Sequence, residues 1–175
     1  MPKSSKLQVD IDESKILDEL LRNGKKSVID IAESLGFSRQ KVWRIIKKLE
    51  KNKTIWGYTT IIDAEKQGLK KYILLIKRTM NPIDDSIGDK LTSGKISEIV
   101  QKIGVTIIDS KYLHGEFDWI ISFTAQDIKE AKKVQEMLNS MYHGYIKSIS
   151  LLEELFVTRD HGILNPNFKR IKDYI

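Results

Sequence analysis

Two short amphipathic segments joined by only three residues constrain this chain more than any other feature. In SVIDIAESLG, Ser27 is placed to cap a helix with Asp30 as its capping-box partner. Val28, Ile31, Ala32 and Leu35 then follow at helical spacing, and Gly36 stops the run. In SRQKVWRIIKKLEKN, Ser38 caps a second helix whose Val42, Ile45, Ile46 and Leu49 recur at i, i+3, i+4 and i+7. Gly36, Phe37 and Ser38 alone separate the two. A turn that short, containing Gly, is the sequence form of a helix-turn-helix. An earlier helix over DESKILDELLRNG, with Asp12 as N-cap, Ile16, Leu17, Leu20 and Leu21 as apolar positions and Gly24 as stop, completes a three-helix unit.

The inward stripe decides what the last of these helices shows to water. At ~100° per residue, Gln40, Arg44, Lys47 and Lys51 fall on the opposite side, flanked by Lys48 and Trp43. That side holds no acidic residue, and residues 22–53 carry 10 basic against 3 acidic side chains in a chain of net charge +6. Gln can read adenine and Arg guanine through paired hydrogen bonds, whereas lysines suit phosphates. Singly, each is an ordinary solvated residue. Together on the second helix of such a pair, Ser38, Arg39, Gln40, Lys41, Arg44, Lys47, Lys48 and Lys51 form a candidate contact set for double-stranded DNA. Beyond them TIWGYTTIID, with Gly57 as a turn former, reads as a wing or strand leading out of the unit, in which Trp56 and Tyr58 are expected to pack rather than to stack on bases.

The second half reads as a different layer. The polar run DAEKQGLKK marks a linker over residues 63–70. After it come a strand in KYILLIKRTM, a helix in KISEIVQKIG, a hairpin formed by VTIIDSKYL and WIISF around HGEFD, a helix over residues 127–141 and a last strand over residues 146–158. The expected class is therefore α+β: a winged helix-turn-helix over residues 12–62, then a ferredoxin-like βαββαβ domain over residues 71–158, between an N-terminal tail of residues 1–11 and a C-terminal tail of residues 159–175. Both helices of the second domain cover one sheet face. Apolar residues occupy both alternations of residues 72–76, 119–123 and 151–157, so the open face needs a cover: a two-fold contact with a second copy is the commonest, and the C-terminal tail folded over the sheet is the alternative. Pairing also gives a helix-turn-helix two recognition helices for two half-sites.

The stretch AESLGFSRQKVWRIIKKLEKN followed by IWGYTTIID resembles the leucine-responsive/asparagine regulator (Lrp/AsnC, feast/famine) family of transcription regulators. GEFDWII, residues 115–121, is similar to that family's Gly-x-x-Asp hairpin, and the likeness covers roughly residues 12–158. It implies a regulatory DNA-binding protein that is dimeric, tetrameric or octameric, with a RAM-type second domain whose hairpin takes a small effector, usually an amino acid. On that implication Gly115, Glu116 and Asp118 are effector-site candidates; from the residues alone, a structural turn held by Asp118 is equally open. The chain departs from the family at Lys53, where glycine is common, at Ile45, where a basic residue is common, in a longer polar connection over residues 80–95, and in its tail.

The sequence supports no enzyme chemistry. The ten glycines form no phosphate-cradling cluster, no zinc-binding His pair is present, and the absence of cysteine removes thiolate metal sites and nucleophiles. His114 is expected to be buried beside the hairpin turn, Asp84 and Asp85 to lie in a loop, and Glu153 and Glu154 to point to opposite faces of a strand. No cofactor, metal, signal segment or membrane span is expected. The family resemblance implies a prokaryotic, nucleoid-associated protein of the cytoplasm. The competing readings are a siroheme-decarboxylase-like enzyme on the same two-domain scaffold, and a non-specific architectural DNA binder.

Overall fold

The structure, a computed structural model, describes residues 6–174, and its backbone contacts divide into two units. One comprises residues up to Ile61 together with Arg159–Pro166; the other comprises Ile62–Thr158 and the residues after Pro166.

In the first unit, α1 (Lys6–Arg22) begins inside the expected tail. Nothing in KLQVDI breaks a helix, and Asp12, expected as the cap, lies mid-helix. It is 3% exposed, and its carboxylate accepts from Gln8 Nε2 at 3.0 Å and meets Lys41 Nζ at 2.6 Å, so it has partners without capping a backbone amide. The second helix, α2 (Val28–Leu35), starts on the expected capping box: Ser27 Oγ accepts from the Asp30 amide at 3.1 Å and Asp30 Oδ2 from the Ser27 amide at 3.2 Å. It ends on Gly36 at φ 65°, where the Gly36 and Phe37 amides donate to the carbonyls of Glu33 and Ala32. Ser38 then caps α3 (Arg39–Lys51), accepting from the Lys41 amide at 3.3 Å. Ile16, Ile31, Ala32, Val42 and Ile46 form the core between the helices, with Leu20, Val28, Leu35, Phe37 and Ile45 around it. Leu21, expected to face inward, is 75% exposed.

Residues 54–63 form neither helix nor strand up to a bend, so the expected wing strand is absent from the chain as described. An extended segment becomes a strand only when another strand takes its amides and carbonyls. Trp56 and Tyr58, expected to pack, are 94% and 53% exposed. Lys53, at the family's glycine position, takes the left-handed φ of 62°. In the expected tail, β5 (Arg159–Asp160) and β6 (Ile163–Leu164) pair through His161 and Gly162, both at positive φ.

The second unit is a four-stranded antiparallel sheet in the order β2-β3-β1-β4, from β1 (Lys70–Arg78), β2 (Thr106–Tyr112), β3 (Trp119–Ala125) and β4 (Ile146–Glu153). This is the ferredoxin-like order. Two further helices, α5 (Lys95–Gln101) and α6 (Ile128–Met141), pack with Tyr72, Leu74, Ile76, Trp119, Ile121 and Phe123 in one core, so the helices share a sheet face. An added helix, α4 (Asp85–Thr92), interrupts what reads as a loop: Asp84 Oδ1 accepts from the Ile87 amide at 2.9 Å and caps it. On the other face the register sets Ile73 beside Leu152 and Leu75 beside Ile120, with Ser122 and Ser150 interleaved. That is an apolar patch of four side chains set among hydroxyls, narrower than the strand sequences suggest. The last strand stops at Glu153 rather than residue 158, and the tail beyond Pro166 forms a 3-10 turn at Phe168–Asp173, followed by Tyr174, whose ring lies 5.3 Å from that of Phe156. His114 is exposed rather than buried.

Candidate nucleic-acid interface

Helix α3 carries two kinds of cation, and the structure separates them. Lys41 reaches back to Asp12, with its ammonium also 3.8 Å from the centre of the Phe37 ring, and Lys48 reaches Glu13 at 2.5 Å. Both partners lie on α1. The Lys41 hydrogen bond holds Asp12 below the usual carboxylate range against the opposing effect of its burial. Each of these two lysines ties α3 to α1 through an ion pair.

The remaining positions stay together. Arg39, Gln40, Arg44, Lys47 and Lys51 are all exposed, and among the described residues Arg39, Arg44 and Lys51 make no ion pair. Gln40, Arg44, Lys47 and Lys51 recur at intervals of four, three and four, one stripe of the helix. Lys47 bonds Glu50 at 2.8 Å, which raises the lysine and lowers the carboxyl from their ordinary values. Glu50 also accepts from the Tyr58 hydroxyl at 3.2 Å. A helix whose outer stripe offers one amide, one free guanidinium and lysines can hydrogen-bond base edges and neutralise phosphates at once. Trp43, 56% exposed, flanks that stripe, and Trp56 lies just beyond the helix; sequence reasoning assigned Trp56 to packing because an aromatic residue is more often buried than not.

In the second unit Gly115, Glu116 and Asp118 lie in the turn between β2 and β3, with Gly115 at φ 156°. Asp118 Oδ2 accepts from the Arg78 amide at 2.7 Å and its own amide donates to the Ile76 carbonyl at 2.9 Å, so Asp118 stitches the hairpin to β1. Exposed Glu116 bonds Lys77 at 2.8 Å and is held below its ordinary value by it. Glu153 and Glu154 pair separately with Lys70 and Lys71. Among the described residues no cluster of acidic and histidine side chains could hold a metal ion, and no helix is long and apolar enough to cross a membrane.

Comparison with known proteins bears on both units. A winged helix-turn-helix DNA-binding family model matches residues 13–55. An HTH-type transcriptional regulator of Pyrococcus abyssi is 31% identical over 139 residues, covering 76% of this chain and 91% of the relative. The leucine-responsive regulatory protein of Haemophilus influenzae is 25% identical over 134 residues, 77% of this chain and 76% of its own length. A feast or famine regulatory protein of M. tuberculosis, solved with L-methionine, superposes with a TM-score of 0.65 at 18% identity over 86% of this chain and 94% of that one. The helix-turn-helix, the sheet order and these likenesses agree: the chain belongs to the Lrp/AsnC family of DNA-binding transcription regulators.

Proposed function

We propose that this regulator reads duplex DNA with the outer stripe of α3, acts as a homodimer or a higher assembly of dimers, and is modulated by a small metabolite such as an amino acid. The observation that carries the reading is that Arg44 stands exposed, without an ion-pair partner among the described residues, in a stripe with Gln40, Lys47 and Lys51. Gln40 and Arg44 take the base edges, Arg39 the groove wall, and Lys47 and Lys51 the phosphates. Ser38, Lys41 and Lys48 set the helix in place. The apolar patch of Ile73, Leu75, Ile120 and Leu152 is the dimer contact. The L-methionine found with the M. tuberculosis protein supports an amino-acid effector, with Glu116 exchanging Lys77 for the effector's ammonium while Gly115 and Asp118 hold the hairpin. Such a protein works on the prokaryotic nucleoid, in the cytoplasm.

Selection of bound duplexes from random DNA, with and without amino acids, tests this. A regulator enriches one motif by about 10³-fold or more over random sequence at physiological salt. Uniform retention of all sequences would make the chain an architectural binder instead.

A further inference from the structure

The exposed stripe of α3 has two edges. At ~100° per residue, Lys41 and Lys48 lie along one of them and Trp43 and Glu50 along the other. The first edge is tied to α1 by the ion pairs with Asp12 and Glu13. The second is bordered by the segment that leaves the helix, where the Ile55 amide donates to the Leu49 carbonyl at 3.0 Å and the Tyr58 hydroxyl donates to Glu50 at 3.2 Å. The Tyr58 ring also stands beside the end of α1, since a Cβ on Gly24 would lie 3.8 Å from Tyr58 Cδ1. Residues 55 and 58 are thus anchored, yet Trp56 between them is 94% exposed, and Trp43 on the same edge is 56% exposed. An indole held in water on a fixed backbone adds nothing to the fold, because apolar surface stabilises only when it leaves water.

We infer that this aromatic edge is a second DNA contact, with the Trp56 indole laid against the sugar–phosphate backbone beside the groove that α3 enters. Charge selects the partner. Residues 43–58 carry Arg44, Lys47, Lys48, Lys51 and Lys53 against the single acid Glu50, whose carboxylate already serves Lys47 and Tyr58. A second copy bringing the same edge would set like charges against each other, and an apolar protein surface would desolvate the cations without pairing them, whereas a polyanion pairs them. The indole suits that same partner: its face packs on the apolar side of a deoxyribose, and its Nε1–H, which can only donate, meets phosphate oxygens. Such a contact reads no base. It fixes the register in which Gln40 and Arg44 meet theirs. The anchors at Leu49 and Glu50 place the indole before DNA arrives, so little ordering is lost on binding. This rests on the reading of α3 as the DNA-binding helix, and it adds a surface and a residue that the reading does not use.

The test uses the full chain and two duplexes, one that it selects from random DNA and one of random sequence. Trp56→Ala should lower affinity for both about tenfold, with the salt dependence unchanged because no charge is removed. Trp56→Phe, which keeps an aromatic face, should recover most of that loss. Hydroxyl-radical cleavage, which attacks deoxyribose, should show sugars that the wild type protects beside the α3 site and that Trp56→Ala leaves open. Arg44→Ala should do the reverse, losing base preference on the selected duplex while those sugars stay protected. Because the indole is exposed, the circular dichroism, urea midpoint and sedimentation of Trp56→Ala should match the wild type. Affinity within about twofold of wild type on both duplexes, or sugar protection that survives Trp56→Ala, would overturn the contact. So would a Trp56→Ala chain that loses its partner copy, which would place the indole between copies instead. If Arg44→Ala keeps its base preference while Trp56→Ala behaves as expected, the stripe reading fails and the aromatic edge stands; if the wild type binds neither duplex, both fail.

Discussion

The ammonium of Lys41 lies 2.6 Å from the carboxylate of Asp12, joining the first turn of the recognition helix to the middle of α1. The lysine is part-exposed but Asp12 is almost wholly buried, so the bond is charge-assisted and one-sidedly desolvated. Replacing Asp12 with Asn should cost about 1–2 kcal/mol in urea unfolding at pH 7. Lys41 holds the Asp12 carboxyl below its ordinary value of 3.8. A depressed folded-state pKa contributes stability above the unfolded value and loses it as the pH falls through the folded one. The gap between wild type and Asp12→Asn should therefore be full at pH 6–7 and shrink below about pH 4. A gap independent of pH would mean that the carboxylate charge contributes nothing.

Arg44 and Lys47 should behave differently although they sit one turn apart. Arg44→Ala should cost roughly 1–3 kcal/mol at one base position and relax preference there. Lys47→Ala should weaken all duplexes about equally and flatten the salt dependence of binding. Quantitative binding to a selected site and its single-base variants, at two salt concentrations, separates the two effects. An unchanged base preference in Arg44→Ala would contradict docking by this stripe.

Glu50 restrains Lys47 at 2.8 Å and adds a negative charge beside the surface proposed to meet DNA. Glu50→Gln releases the lysine and removes that repulsion, so every duplex should bind severalfold more tightly, the largest gain coming at low salt. If affinity falls, the Glu50 bonds to Lys47 and Tyr58 are needed to shape the bound surface.

The helix-turn-helix was legible because its signals are local. Ser27, Asp30, Gly36 and Ser38 act within four residues of themselves, and all four took the capping roles that the sequence implies. The Gly position in the family pattern was informative too, since Lys53 adopts the left-handed backbone that a glycine would take. What failed depends on tertiary partners. Asp12 reads as a cap until Lys41, 29 positions later, is seen to claim its carboxylate. The ion pairs of Lys41 and Lys48 were illegible for the same reason, because a helical wheel shows which way a side chain leaves its helix, not which carboxylate on α1 awaits it. The α4 helix escaped notice because DSIGDKLT carries a glycine and only one buried residue, too weak a periodic signal for a helix of that length.

Lys53 offers a stability test with little functional consequence. A non-glycine residue in the left-handed region costs roughly 1–2 kcal/mol, part of which glycine gives back through greater freedom of the unfolded chain. Lys53→Gly should then stabilise the first unit by about 0.5–1 kcal/mol, read as a higher urea midpoint with unchanged slope. Lys53→Ala, which keeps the Cβ, should give no such gain. Equal effects of the two would locate the change in lost charge rather than in relieved backbone.

Leu75 tests the assembly. It pairs with Ile120 on one side and Ser150 on the other, at the centre of the patch proposed to meet a second copy. Leu75→Glu places a charge where two identical faces would oppose it to itself, and two like charges in a dry contact cost several kcal/mol. Inside one chain the same position is only half-buried, so the fold should survive. Sedimentation should then show a monomer of native circular dichroism, and operator affinity should fall because two half-sites are no longer bound together. A variant that remains dimeric and binds its operator as before would place the two-fold contact elsewhere, and the patch would be only the solvent side of an ordinary antiparallel sheet.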